Sequence, residues 1–135
     1  MRTSLRRALA AATLAISLAA GSVGFAASPA AASATACSSG PRTYCAYVNG
    51  SGLKVNYVIG SFSSVSTICN WTITAEFFDT HGKWYKTFET KTHLGCWFTN
   101  NTQLNVNYKA KAGKMYSTLR SNGSRVTSVG FSIHP

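Results

Sequence analysis

The chain has 135 residues, 45% of them hydrophobic, with 13 basic against 3 acidic side chains and a formal net charge of +10. So few carboxylates leave little material for paired-acid catalysis or a carboxylate metal cage. A field of this sign attracts polyanions such as cell-wall polymers, anionic lipid head groups and nucleic acid.

The first segment reads as a leader. "MRTSLRR" is a basic n-region, "ALAAATLAISLAA" is an apolar h-region too short for a good membrane span, and A-x-A cleavage options end at Ala32, Ala34 or Ala36. Residues 1–34 are expected to form a secretory signal peptide and residues 37–135 a single secreted β domain, extracellular and without a transmembrane segment. Arg6-Arg7 is a poor twin-arginine motif in its context. Ala34, where a lipoprotein signal has Leu three residues before its cysteine, argues against lipidation at Cys37. After the leader, ten basic residues face three acidic ones, Glu76, Asp79 and Glu89. A domain this small buries about two thirds of its unfolded surface and gains much from cross-links.

Cys37, Cys45, Cys69 and Cys96 all lie in that domain. An even number in a short exported chain implies disulfides. Of the three connectivities, Cys37–Cys45 with Cys69–Cys96 is preferred. The first bridge ties down the N-terminus. The second closes a long hairpin, worth about 3–4 kcal/mol on the chain-entropy account. No C-x-x-C occurs, which disfavours zinc.

No helical periodicity follows the leader. Runs rich in Thr, Val, Tyr, Phe and Trp alternate with Asn/Gly/Ser clusters. Strands are expected near 43–48, 53–60, 66–78, 83–91, 95–98, 103–110, 114–120 and 125–133. Turns are expected at "NGSG", "DTHG", "TNNT" and "SNGS". The fold class is therefore all-β, a small disulfide-bonded antiparallel sandwich or barrel. Leu104, Val106, Tyr108 and Ala110 alternate with Asn105, Asn107, Lys109 and Lys111, so one face is buried and one is wet. Val129, Phe131 and Ile133 do the same in the last strand. The N-x-S/T triplets at Asn49, Asn70, Asn100 and Asn122 read as turn and strand composition, because the leader looks bacterial.

"EFFDTHGKWYK" is the densest stretch. Asp79-Thr80-His81-Gly82 fits a type I turn closed by a left-handed glycine, which puts His81 at a solvated tip. That loop predicts Phe78 opposite Trp84, Phe77 opposite Tyr85 and Glu76 opposite Lys86, the last an opposite-charge pair. Trp71, Ile73, Ala75, Phe77 and Tyr85 then face the core. Phe78, Trp84 and Phe88 share the wet face with Lys86, an aromatic platform beside a cation that suits a sugar or planar ligand. The alternative is that another segment covers it. Asn122-Gly123 predicts a two-residue turn that sets Arg120 against Arg125. An anion between the two guanidiniums would relieve their repulsion; otherwise both side chains splay into water.

Catalytic signatures are absent: no G-x-S-x-G elbow, no H-E-x-x-H, no cysteine nucleophile. Glu76, His81, His93 and His134 are the candidates a small nuclease would need. His93 reads as structural beside its expected bridge, and His134 lies on the tail.

The span from "CNW" through "FFDTHGKWY", "THLGC" and "GKMYSTLRSNGSRV" to "FSIHP" resembles a set of small exported β-rich proteins from high-GC Gram-positive bacteria that have no established activity. The resemblance covers about the last two thirds of the chain and implies location more than function. Similar sequences are expected to carry one cysteine after "GK" and another before "SIHP". Met115, Tyr116 and Gly130 stand there in this chain, so their disulfide pattern does not carry over.

The expectation is a secreted, non-catalytic protein without cofactor or metal that binds a cell-wall polyanion or glycan. Phe78, Trp84 and Phe88 would supply contact area, and Lys86, Lys109, Lys111, Arg120 and Arg125 charge. No specific nucleic acid is expected. The alternatives are an antibacterial, toxin-like protein and a small nuclease. A protease inhibitor fits the size, but no reactive loop is recognisable.

Overall fold

The computed structural model describes residues 33–135, and the expected signal peptide lies outside them apart from its last two positions. Period-two alternation runs through almost the whole described chain and produces seven antiparallel strands: β1 (Ala34–Cys37), β2 (Arg42–Ser51), β3 (Lys54–Asp79), β4 (Trp84–Glu89), β5 (His93–Lys109), β6 (Gly113–Ser121) and β7 (Ser124–Ile133). The all-β expectation holds, as one curled antiparallel sheet that forms a half-barrel.

β3 organises the sheet. Its first half pairs with β2 on one side and β5 on the other. Its second half pairs with β4 and β6, and β7 follows β6. A register irregularity between Ser63 and Ile68 separates the halves. β7 packs against β1 and β2, which curls the sheet around its apolar face. Trp71, Ile73, Ala75 and Phe77 of β3 are fully buried there with Tyr44, Val58, Met115 and Leu119. Gly60 lets the two halves meet: a side chain there would collide with Ile73 and Tyr44.

Two expected breaks are not breaks. The predicted strands 53–60 and 66–78 are one strand, and so are 95–98 and 103–110. Thr99–Thr102, predicted as a turn, pairs residue by residue with Gly60–Ser63. The ladder supplies the backbone hydrogen bonds a turn would have closed locally, and tertiary pairing overrides a turn-prone composition. "NGSG" turns two residues later than expected, with Ser51 opposite Lys54. The short β1 is an element the sequence did not mark.

Both preferred disulfides are present. Cys37–Cys45 joins β1 to β2, and Cys69–Cys96 joins β3 to β5. In each case the two cysteines are directly opposed in register, with Cα atoms 4.0 Å apart. The chain has no free thiol among the described residues.

Candidate functional site

The β3–β4 turn forms as the sequence dictates. The Gly82 amide donates to the Asp79 carbonyl (3.0 Å), and Gly82 takes a φ of 75°. Asp79 Oδ1 accepts from the amides of His81 and Lys83, both at 2.9 Å. The Lys83 amide is the main reason the Asp79 carboxyl sits below its ordinary value. Slight desolvation opposes it, and the His81 amide and the charges of His81 and Lys111 reinforce it. His81 is exposed at the tip, as expected.

Register departs from expectation one step into the hairpin. Phe78 lies opposite Trp84, but Phe77 then faces Lys86, Glu76 faces Thr87 and Ala75 faces Phe88. Tyr85 is the extra residue of a β-bulge, which shifts every later pair by one. The predicted pairs Phe77–Tyr85 and Glu76–Lys86 are therefore corrected. Phe88 moves to the core side, edge-on to Phe77 at 6.0 Å and tilted against Tyr108 at 5.4 Å. Lys86 goes with it, its Nζ 5.1 Å from the Phe88 ring centre. Lys111 caps Tyr85 in the same way at 5.3 Å, and its amide donates to the Tyr85 phenol at 2.9 Å. Burial pushes the Tyr85 pKa up. Lys109 is exposed directly opposite Lys54.

The predicted site thus divides. Phe78 and Trp84 share the outer face of the β4–β3–β6–β7 layer, while Phe88, Lys86 and Lys111 lie at its inner edge. Sequence reasoning missed two residues of the outer site, Lys114 and Tyr116. Lys114 is the β6 partner of Phe78, and Tyr116 is the partner of Glu76. Alternation in "GKMYSTLR" was the signal for both, since Met115, Ser117 and Leu119 face inward. The Tyr116 ring meets Phe78 edge-to-face at 5.5 Å and lies over Gly130 of β7, where a side chain would crowd it. Trp84 is 56% exposed, yet its indole N–H donates to Thr87 Oγ1 at 2.8 Å, which fixes the ring. Phe78, Tyr116, Lys114 and Gly113, with Asp79, Thr80 and Gly82 of the turn, line an open cleft of about 480 Å³.

Arg120 and Arg125 are opposed as expected. The relief of their repulsion is internal: Arg120 Nη2 donates to Glu76 Oε1 at 2.8 Å, and Arg125 donates to Ser128 Oγ. Glu76 is the counter-ion of Arg120, and Arg125 is held by a neutral hydroxyl. Between the cleft and these arginines the threonines of β3 and β6 are buried. Thr72 donates to Glu89 Oε1 at 2.8 Å, and Thr74 and Thr118 are opposed and buried.

The nuclease candidates are dispersed. His93 stacks on Trp71 with ring centres 4.1 Å apart, a structural placement, whereas Glu76 is bound to Arg120 on the outer face. Among the described residues no three His, Cys, Asp or Glu side chains gather in a way that would hold a metal ion. Comparison with family models, curated proteins and solved structures finds no match. No helix among the described residues is long and apolar enough to cross a membrane.

Proposed function

We propose that the protein is an exported, non-catalytic binder of cell-envelope polymers, and that the cleft beside Trp84 takes a glycan ring bearing an anionic substituent. The observation that carries this reading is an open cleft lined by Phe78, Tyr116 and Lys114, with the exposed Trp84 opposite Phe78 on the neighbouring strand. Aromatic faces and edges pack against the C–H surface of a sugar, and a hydrogen-bonded indole loses little freedom on binding. Lys114 supplies a point charge for a phosphate or carboxylate. Two disulfides are compatible with an oxidising, extracytoplasmic location.

The test is a pull-down of the oxidised domain on purified cell wall, with and without its anionic polymers, across a salt series. Binding should require the polymers and weaken as salt rises. Trp84→Ala should weaken it about tenfold at every salt concentration, roughly the worth of one stacked ring. Lys114→Ala should flatten the salt dependence. Arg120→Ala should not, because Glu76 already neutralises that charge. Absence of binding at low salt would overturn the reading.

A further inference from the structure

Three of the four large apolar side chains exposed among the described residues lie together, far along the chain from the cleft. Val65 is 78% exposed, Leu94 76% and Phe98 58%. Register places them. Cys96 faces Cys69, Trp97 faces Ile68 and Thr99 faces Ser63, so the β3 segment Ser64–Thr67, which contains Val65, bulges opposite Phe98 alone. Leu94 and Phe98 flank Cys96 by two residues on either side. Trp97 packs toward the core, and a side chain on Gly95 would strike the Trp97 ring, so Gly95 and Trp97 share the inner side of this stretch. Leu94, Cys96 and Phe98 alternate with them and are all exposed. The result is an apolar ridge on β5 from Leu94 to Phe98, with the disulfide at its middle, Val65 beside its end and a bulge at Leu94–Gly95 opposite Asn70.

No packing requirement explains this ridge. An exposed Leu or Phe is unremarkable singly, whereas a contiguous group marks a contact surface. The charge distribution selects the occupant. All three carboxylates of the chain fall within residues 76–89. The segments that build this end, 41–46, 60–71 and 91–102, carry Arg42 and Lys91 and no acid, and Glu89, which borders it, accepts from Thr72. A second copy would bring the same positive field against it. An anionic bilayer would bring the opposite one.

We propose that the Val65–Leu94–Phe98 ridge docks the protein on an anionic lipid surface, the apolar side chains entering the interfacial zone while Arg42 and Lys91 meet head groups. Two weak signals, a few apolar side chains and a basic field, together give reversible attachment. The contact is independent of the glycan cleft, and either reading can fail alone.

The test is co-sedimentation of the oxidised domain with phosphatidylcholine vesicles, with and without phosphatidylglycerol, alongside sedimentation velocity of the protein alone. Binding is expected only with phosphatidylglycerol and should fade as salt rises. Phe98→Ser and Leu94→Ser should each lower the partition coefficient about tenfold, the equivalent of removing one large apolar side chain from the interface. Val65→Ser, in a different strand, should lower it in the same direction, which guards against a local folding defect in β5. Failure to bind at low salt would overturn the proposal, as would binding that the three serine variants leave unchanged. A concentration-dependent dimer abolished by Phe98→Ser would assign the ridge to self-association instead.

Discussion

The two faces of the second half of β3 are built by alternate residues of one short run, and both exclude water by different means. Inward, Trp71, Ile73, Ala75 and Phe77 are buried among other apolar side chains. Outward, Thr72 and Thr74 are buried as well, at 7% and 2% exposure, beneath polar side chains that bond to one another. Glu89 takes the Thr72 hydroxyl and Glu76 takes Arg120. Burial alone therefore does not distinguish core from surface here. The inner face gains from transfer of apolar area, while the outer face is a polar cover whose hydroxyls are only partly satisfied.

Adjacent phenylalanines separate these terms most widely. Phe77 contacts Tyr85, Phe88 and Tyr108 in the core. Phe77→Ala should cost about 3–5 kcal/mol in urea unfolding, as large cavities do. Phe78 is half-buried in the cleft, and Phe78→Ala should cost about 1 kcal/mol while weakening polymer capture. Equal costs would mean that the cleft is part of the core rather than a site.

Tyr44 tests the polar seam inside the core itself. Its phenol and Ser117 Oγ are 2.6 Å apart across the interior. Burial pushes its pKa from 10.0 to about 12, and the Ser117 bond lowers it slightly. Because the folded value is raised, the contribution to stability is complete below pH 10 and is lost as pH rises toward about 12, where the unfolded chain ionises first. Tyr44→Phe should cost about 1–2 kcal/mol at neutral pH, since it strands the Ser117 hydroxyl. The same change should flatten the alkaline limb of a melting-temperature profile.

Thr74 is the outer-face counterpart, and its change has the opposite sign. The hydroxyls of Thr74 and Thr118 are buried without a hydrogen-bond partner. Thr74→Val keeps the shape and removes an unsatisfied polar atom, so it should stabilise by about 1 kcal/mol. A loss of stability would show that the hydroxyl is bonded in solution.

The inner face was legible because apolar alternation maps directly onto burial; Leu104, Val106, Phe131 and Ile133 were placed from it. The two hairpin tips were legible because Gly82, Asn122 and Gly123 carry backbone demands that few residues meet, with φ values of 75°, 49° and 78°. The candidate site was legible only in part. A bulge at Tyr85 has no sequence mark, and one inserted residue sent Phe88 and Lys86 to the opposite side from Trp84. Nor does local sequence reveal that Glu76, 44 positions from Arg120, is its ion partner. Both are consequences of strand pairing, which is decided by the whole sheet.

The hairpin tip gives the smallest effect, and it isolates one carboxylate. Asp79 holds the amides of His81 and Lys83, and its carboxyl is lowered from 3.8. A depressed folded value contributes stability above the unfolded value, and that contribution is lost as pH falls through the folded one. A wild-type profile sums every group that titrates in acid, so the loss at Asp79 is assigned by difference. Asp79→Asn keeps an acceptor for both amides and removes the titration. The difference between the two melting-temperature profiles should be flat at neutral pH and should narrow below 3.8 as the wild type loses its charge. Parallel profiles would mean that the amide bonds at this exposed tip do not persist in water. The wall of the cleft formed by Asp79, Thr80 and Gly82 would then rest on the backbone bonds from Gly82 to Asp79 and from Asp79 to Lys83 alone.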